Sequence, residues 1–387
     1  MAEVRFMRRA LALARRGRGH TSPNPMVGAV LLKGGRVVAE GYHRRPGAPH
    51  AEAVALQRAG PRARGATLYV NLEPCVHTHK RTPPCTEAII RAGVKRVVAA
   101  MKDPNPRVNG KGFEALTKAG IEVEVGLLEA EALRLNEAYV KHIQTGMPFV
   151  MLKVAMTLDG KIATSTGQSK WITGPQARRM VHALRARVDA VLTAVGTVLA
   201  DDPALTVRFL KRPPRQPLRV VIDPELQSPL GAQVFRTPPP TLLVSRRPLP
   251  EALRRQGVEG LMFSTRELSL RWLLRELGKR GITSVLIEGG SALAGRAVAE
   301  RVPDKVVFFI APKLLGGKQS YPAVGGPEPR SLQDALPLGQ MKVRRVGEDL
   351  LVEAYVEPSG QGRFSSSTFM MRGLGGACLR VDSSTQV

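Results

Sequence analysis

Hydrophobic and polar positions change period several times along the chain, and each change marks an element. Val4, Met7, Leu11 and Ala14 recur at helical spacing through an Arg-rich opening, which predicts an amphipathic surface helix rather than a targeting peptide. Short apolar runs then predict strands at 26–32, 37–41, 67–72 and 94–101, with helical patterns at 51–59, 86–92 and 112–119 among them. Such alternation implies an α/β sheet flanked by helices. A helical pattern at 129–143 runs into Gly146 and Pro148, a stop signal. The chain is therefore read as two domains, 1–146 and 147–357.

A second series follows the break. Strands are predicted at 149–155, 190–194, 218–222, 241–245 and 284–288, and helices at 175–188 and 267–280, so this half is also α/β. Proline-rich stretches at 212–217 and 237–240 read as loops, because proline removes a ladder donor. No internal repeat is visible. Residues 358–387, rich in Ser and Gly and without periodicity, read as a disordered tail with no assigned function.

Composition narrows the class. A chain of 387 residues, 43% hydrophobic but only 4% aromatic, suits two soluble domains built on Val, Leu and Ala. No apolar run is long enough for a membrane span, and the basic N-terminus lacks a signal-peptide core, so a cytoplasmic protein without a membrane partner is expected. The net charge of +26 raises the question of nucleic acid, since clustered Lys and Arg neutralise phosphates. Here the charges are scattered and lack interleaved aromatic stacking platforms. They suit anionic small molecules better, and no nucleic-acid partner is expected. A homo-oligomer is compatible with the sequence.

Cysteine usage points to a metal rather than to disulfides. His50-Ala51-Glu52 opens a helical segment, Pro74-Cys75 follows a strand, and Cys85 lies beyond a proline-bearing loop. These are the parts of a zinc nucleobase deaminase. His50, Cys75 and Cys85 would hold Zn2+ and leave a fourth position for water, whose pKa the metal lowers to about 7. Glu52, in register two residues after His50, would be the proton carrier. His43, His77 and His79 also lie nearby in sequence, but only His50 has a glutamate so placed.

The long Val76 to Pro84 loop departs from the general C-x-x-C spacing. Together with Asn24-Pro25-Met26-Val27-Gly28-Ala29-Val30, Arg81-Thr82-Pro83-Pro84-Cys85 and Asp103-Pro104-Asn105-Pro106, it resembles the bifunctional riboflavin-biosynthesis deaminase–reductases. The resemblance spans nearly all of residues 1–356. It implies a cytidine-deaminase-like three-layer domain followed by a dihydrofolate-reductase-like domain. It also implies a phosphorylated ribosylamino-pyrimidine substrate, with Asn24, His43, Lys80, Asp103 and Asn105 as contacts to base or sugar phosphate.

In the second half no Gly-x-Gly-x-x-Gly fingerprint follows a strand. Gly289 and Gly290 do lie between the strand at 284–288 and a helix opening at Ser291, an arrangement whose amides can hold a phosphate. Leu158-Asp159-Gly160-Lys161, Ser169-Lys170-Trp171, Asp201-Asp202-Pro203, Ile287-Glu288-Gly289-Gly290 and Ala311-Pro312-Lys313-Leu314 extend the same resemblance. It implies NADPH contacts at Ala155, Trp171, Thr197, Asp201, Ser228, Gly289, Gly290, Ser291 and Gly295. It implies substrate contacts at Ser169, Arg185, Leu205, Arg208 and Glu288, the two arginines holding a sugar phosphate by paired hydrogen bonds. Lys153 is the candidate for assisting reduction of the opened ribose, by polarising the bond that accepts hydride. Two competing readings are a zinc deaminase acting on nucleic acid and a non-catalytic nucleotide-binding protein.

Overall fold

The structure, a computed structural model, describes residues 2–76, 83–210, 215–236 and 238–357. Lys80, His77, His79 and the 358–387 segment lie outside the described residues. The first half carries α1 (Ala2–Arg15), β1 (Gly28–Lys33), β2 (Arg36–Tyr42), α2 (Ala51–Ala59), β3 (Thr67–Val70) and α3 (Cys85–Arg91). β4 (Arg96–Ala99), α4 (Lys111–Lys118), β5 (Glu122–Val125), α5 (Glu129–Leu135) and α6 (Glu137–Thr145) complete it. Its sheet runs β2-β1-β3-β4-β5. β1 is antiparallel to both neighbours, and β3 to β5 are parallel.

Strand alternation decides which helix packs where. Ala29 and Leu31 point to one face and meet Ala51, Ala55, Ile89 and Leu116 from α2, α3 and α4. Val30 points to the other, with Tyr69 and Val98, and meets Met7, Leu11, Ala132 and Tyr139 from α1, α5 and α6. The result is three layers. α1 is more than a surface helix: Met7, Ala10, Leu11 and Ala14 are fully buried. It comes so close that a Cβ at Gly28 would lie 2.1 Å from the Ala10 carbonyl, and α2 crowds Gly41 in the same way from the opposite face.

The second half contains β6 (Phe149–Thr157), β7 (Lys161–Ala163), α7 (Pro175–Arg185), β8 (Ala190–Ala194), α8 (Val195–Asp201) and β9 (Leu218–Ile222). There follow α9 (Gln233–Arg236), β10 (Thr241–Ser245), α10 (Glu251–Arg255), β11 (Glu259–Met262), α11 (Leu270–Lys279) and β12 (Ser284–Glu288). α12 (Ser291–Ala299), β13 (Lys305–Ala311), β14 (Tyr321–Pro322), β15 (Leu338–Val346) and β16 (Asp349–Val356) end the described chain. Nine strands form one sheet in the order β11-β10-β9-β8-β12-β6-β13-β16-β15. Its first seven strands are parallel and the last two antiparallel.

Leu273, Leu277 and Ala294 cover one face of this sheet and Val181, Leu184, Val198 and Leu253 the other. That double cover explains the continuous apolar strands, such as wholly buried β12. No helix among the described residues is long and apolar enough to cross a membrane.

One predicted element is divided. The helical pattern at 129–143 breaks at Asn136, whose buried amide accepts from Met26 N–H (2.8 Å) and donates to the Met26 carbonyl (3.1 Å). Two tertiary hydrogen bonds there outweigh one more turn of unbroken helix.

Candidate active sites

The end of β3 and the starts of α2 and α3 converge on one point. His50 immediately precedes α2, Cys85 is the first residue of α3, and Cys75 lies between β3 and α3. His50 Nδ1 stands 3.5 Å from Cys75 Sγ and 3.3 Å from Cys85 Sγ, and the three ligand atoms lie within 4.8 Å of one another. A tetrahedral Zn2+ with ordinary Zn–S and Zn–N bonds of about 2.3 and 2.0 Å requires S···N separations of about 3.5 Å, so the donor set fits the ion. Cys85 N–H also donates to Cys75 Sγ (3.4 Å), which favours a thiolate there. α2 carries Glu52 two residues past the ligand His50, and its side chain is buried.

Asn24 and His43 reach the same place. His43 Nδ1 is 3.2 Å from the Pro49 carbonyl and Nε2 is 3.2 Å from Asn24 Nδ2. Since the carbonyl only accepts, Nδ1 carries the proton and Nε2 receives the Asn24 amide. Burial, opposed by that carbonyl, holds His43 below its ordinary value, so it is a neutral, oriented ring edge-on to His50, 5.4 Å between centroids.

Asp103 accepts from Tyr139 OH (2.9 Å) and Asn105 N–H (2.9 Å), and burial pushes its carboxyl up to about 6. Asn105 Oδ1 accepts from Arg107 N–H (3.0 Å), which leaves the turn, rather than a ligand, as the visible partner of that oxygen. A residue that sequence reasoning missed ties this loop to the metal cluster. Glu73, buried, accepts from the amides of Asp103, Gly110 and Gly112 at 2.8–3.1 Å. Its carboxylate caps α4 from the loop that follows β3. The only sequence signal was an acidic residue beside Pro74-Cys75 after an apolar strand.

In the second half β6, β12 and β8 are parallel neighbours, and ligands of such sheets usually bind beyond the C-terminal ends of the strands. Glu288 ends β12. Arg185, at the end of α7, donates to it through Nε (2.6 Å) and Nη2 (3.0 Å), and Lys153 Nζ from β6 stands at 3.5 Å. The paired hydrogen bonds expected from Arg185 to a sugar phosphate are thus made to Glu288, with Nη1 on the Thr206 carbonyl. Arg208 is exposed, which leaves it as the arginine of the two open to a phosphate. Leu205 is buried in the core, so any contact it makes with a ligand comes from its backbone. Burial, with Arg185 and Arg208 nearby, holds His182 down to about 4. It is a neutral wall of this site.

Gly290 N–H donates to Thr197 Oγ1 (3.2 Å), and a Cβ at Gly290 would meet nothing closer than 3.9 Å, so a ligand can approach that backbone at the start of α12. Gly289 and Ser291 flank it. Ser228 lies beyond β9 on the same edge, its amide donating to Asp223 (2.7 Å); its hydroxyl is buried and makes no hydrogen bond among the described residues. An open glycine cradle and an orphaned buried hydroxyl fit a nicotinamide dinucleotide. Asp201 accepts from Ser169 Oγ (3.1 Å). Trp171 is 64% exposed under the Arg178 guanidinium, so it is a surface platform, not core. Ala155 is half-buried in β6. Gly295 serves helix packing: a Cβ there would overlap the Gly325 carbonyl.

A three-donor metal cluster with a buried glutamate, followed by a doubly covered parallel sheet with a phosphate cradle, defines a zinc deaminase joined to a nucleotide-dependent reductase. Comparison with known proteins gives the family. The "Cytidine and deoxycytidylate deaminase zinc-binding region" matches residues 2–101 and the "RibD C-terminal domain" residues 148–352. Riboflavin biosynthesis protein RibD of Aquifex aeolicus is 46% identical over 90% of this chain and 96% of its own length. That of Escherichia coli is 44% identical over 90% and 98%. The solved structure of Acinetobacter baumannii RibD superposes with a TM-score of 0.86 at 40% identity, covering 92% of this chain and 99% of that one. A Thermotoga maritima diaminohydroxyphosphoribosylaminopyrimidine deaminase/5-amino-6-(5-phosphoribosylamino)uracil reductase gives 0.82 at 38% identity over the same shares.

The chain belongs to the RibD family of bifunctional deaminase–reductases of riboflavin biosynthesis. Its cofactors are zinc in the cytidine-deaminase-like domain and NADPH in the dihydrofolate-reductase-like domain.

Proposed function

We propose that residues 1–146 deaminate 2,5-diamino-6-(5-phosphoribosylamino)pyrimidin-4(3H)-one and that residues 147–357 reduce the ribosyl group of the product to ribityl. The observation that carries this reading is the pairing, in one chain, of the His50–Cys75–Cys85 cluster with the Lys153–Arg185–Glu288 cluster. Zinc supplies an activated water, and NADPH a hydride. His50, Cys75 and Cys85 would hold the metal, and the Glu52 carboxylate carries two protons in turn, the first from the attacking water to a ring nitrogen and the second from its remaining O–H to the departing ammonia. Asn24, with its amide fixed on His43, and Asp103 with Asn105 and Lys80 orient the base and its sugar phosphate.

In the reductase half Trp171, Ala155, Thr197, Asp201, Ser228 and the 289–291 turn hold the cofactor, and Ser169, Arg208 and the Leu205 backbone hold the substrate. Glu288 keeps Lys153 charged beside the C1 carbon that accepts hydride. The substrate is a small anion in the cytoplasm, which suits the scattered positive charge and requires no nucleic acid.

The test is a pair of variants. Glu52→Gln is expected to release no ammonia yet to reduce the deaminated intermediate at the wild-type rate, and Lys153→Met to do the reverse. If Glu52→Gln still releases ammonia from the diaminopyrimidinone, or wild type fails to oxidise NADPH with the intermediate supplied, the reading is wrong.

A further inference from the structure

The segment that brings Asn24 to the deaminase site also touches the reductase sheet. Thr21 N–H bonds to the Gly17 carbonyl (3.2 Å) and Asn24 N–H to the Thr21 carbonyl (2.8 Å), so Ser22 and Asn24 belong to one tight turn. From that turn Ser22 Oγ donates to Asp189 Oδ2 (2.8 Å) and lies 3.1 Å from Thr283 Oγ1. Asp189 and Thr283 immediately precede β8 and β12, at the opposite end of these central strands from Glu288. Asp189 is buried and its position is over-determined. It accepts from Thr283 N–H (2.7 Å), Thr283 Oγ1 (2.7 Å) and Ser284 N–H (3.2 Å), and pairs with Arg215.

The rest of the interface is held elsewhere. Lys141 on α6 pairs with Asp304 (2.5 Å), and Tyr355 OH donates to Glu137 Oε2 (2.5 Å). The Ser22 contact is therefore not needed to keep the halves together, and it acts on a segment whose other end is Asn24, bonded to His43.

We infer that Asp189, a residue of the reductase sheet, is a positioning residue for the deaminase, holding Asn24 in register through Ser22. The carboxylate is a rigid post, a hydroxyl is the link, and Asn24 is the group set against the substrate; the inference rests on reading Asn24 as a substrate contact. It assigns the reductase domain a role in the other domain's reaction, from the N-terminal ends of strands whose opposite ends carry its own site residues.

The test measures deaminase kcat and KM on the zinc-loaded full chain, with reduction of the deaminated intermediate as the control in each preparation. Ser22→Ala is expected to raise deaminase KM about fivefold, the effect of one lost hydrogen bond, with kcat and reductase kinetics unchanged. Ser22→Thr, which keeps the hydroxyl, restores KM. Asp189→Asn raises KM as well, and Ser22→Ala with Asp189→Asn together do no more than the larger single change, because both remove one interaction. Asn24→Ala calibrates the series. If Asn24→Ala raises KM while Ser22→Ala and Asp189→Asn leave it at the wild-type value, the inference is overturned and the Asn24 reading stands. If Asn24→Ala leaves KM unchanged, that reading fails and the inference falls with it.

Discussion

Replacing Glu288 by glutamine keeps the shape of the side chain and removes its charge. The carboxylate is 7% exposed and meets Arg185 at 2.6 and 3.0 Å and Lys153 at 3.5 Å. Burial by itself would raise its pKa, but the Arg185 and Lys153 charges overcome burial and bring it from 4.5 to about 2. At about 1.4 kcal/mol per unit, that displacement favours the charged state by about 3 kcal/mol, in line with the roughly 3–5 kcal/mol cost of breaking a buried pair from one side. In the variant, Arg185 and Lys153 face each other without their shared anion.

Burial already pushes Lys153 down, and Glu288 is the first of the groups holding it up, so the variant removes the main support for the charged ammonium and leaves burial and Arg185 to push it further down. At about 1.4 kcal/mol per decade, reductase kcat at pH 7 should fall by roughly a hundredfold, while ammonia release from the same preparation stays within about twofold. Lowering the pH should recover part of the loss as Lys153 regains its proton. Steady-state NADPH oxidation with the deaminated intermediate, from pH 6 to 9, is the assay. A reductase kcat within about threefold of wild type would refute the reasoning, and so would equal loss of both activities.

The same depressed pKa has a consequence for stability. Glu288 contributes fully above its unfolded value of 4.5 and loses that contribution as the pH falls through about 2, so thermal unfolding of wild type should drop more steeply than that of Glu288→Gln across that window. Glu73→Gln should keep bound zinc and reductase activity but raise deaminase KM about tenfold, since three amides of the 103–112 loop lose a charged acceptor worth about 1.5–3 kcal/mol per bond; kinetics with metal analysis on one sample decides it. Gly28→Val should lower the unfolding temperature by several degrees or prevent folding, because the new Cβ meets the Ala10 carbonyl at 2.1 Å; a calorimetric scan reads this. Removing zinc with a chelator should abolish ammonia release and leave NADPH oxidation intact, and restored zinc should return the first activity.

Most of the architecture was legible because the elements obey their own periods. β8, β9, β10 and β12 fall where the apolar runs stand, at 190–194, 218–222, 241–245 and 284–288. The antiparallel end was not read. β15 is largely exposed, and its mixed Lys, Arg and Val pattern has no single buried face to betray it. Asn136 shows another limit, since nothing local in Glu129 to Ile143 reveals a partner more than a hundred residues away. The His50, Glu52, Cys75 and Cys85 constellation was legible because metal ligands are chemically rare and closely spaced. Glu73 and Asp189 were not, because a carboxylate that organises backbone amides has no spacing signature. Arg185 and Glu288 were each read as substrate contacts, but their pairing was not legible: from sequence, an arginine near a phosphate subsite and one clamped on a glutamate look alike.

The measurement that bears most directly on the central claim follows ammonia and NADPH together in one reaction of the zinc-loaded chain with the diaminopyrimidinone phosphate as sole substrate. Ammonia release should precede NADPH oxidation and the two should reach equal amounts. NADPH oxidation without ammonia, or ammonia release with no oxidation even after the deaminated intermediate is added, would contradict an enzyme that carries out both steps in sequence.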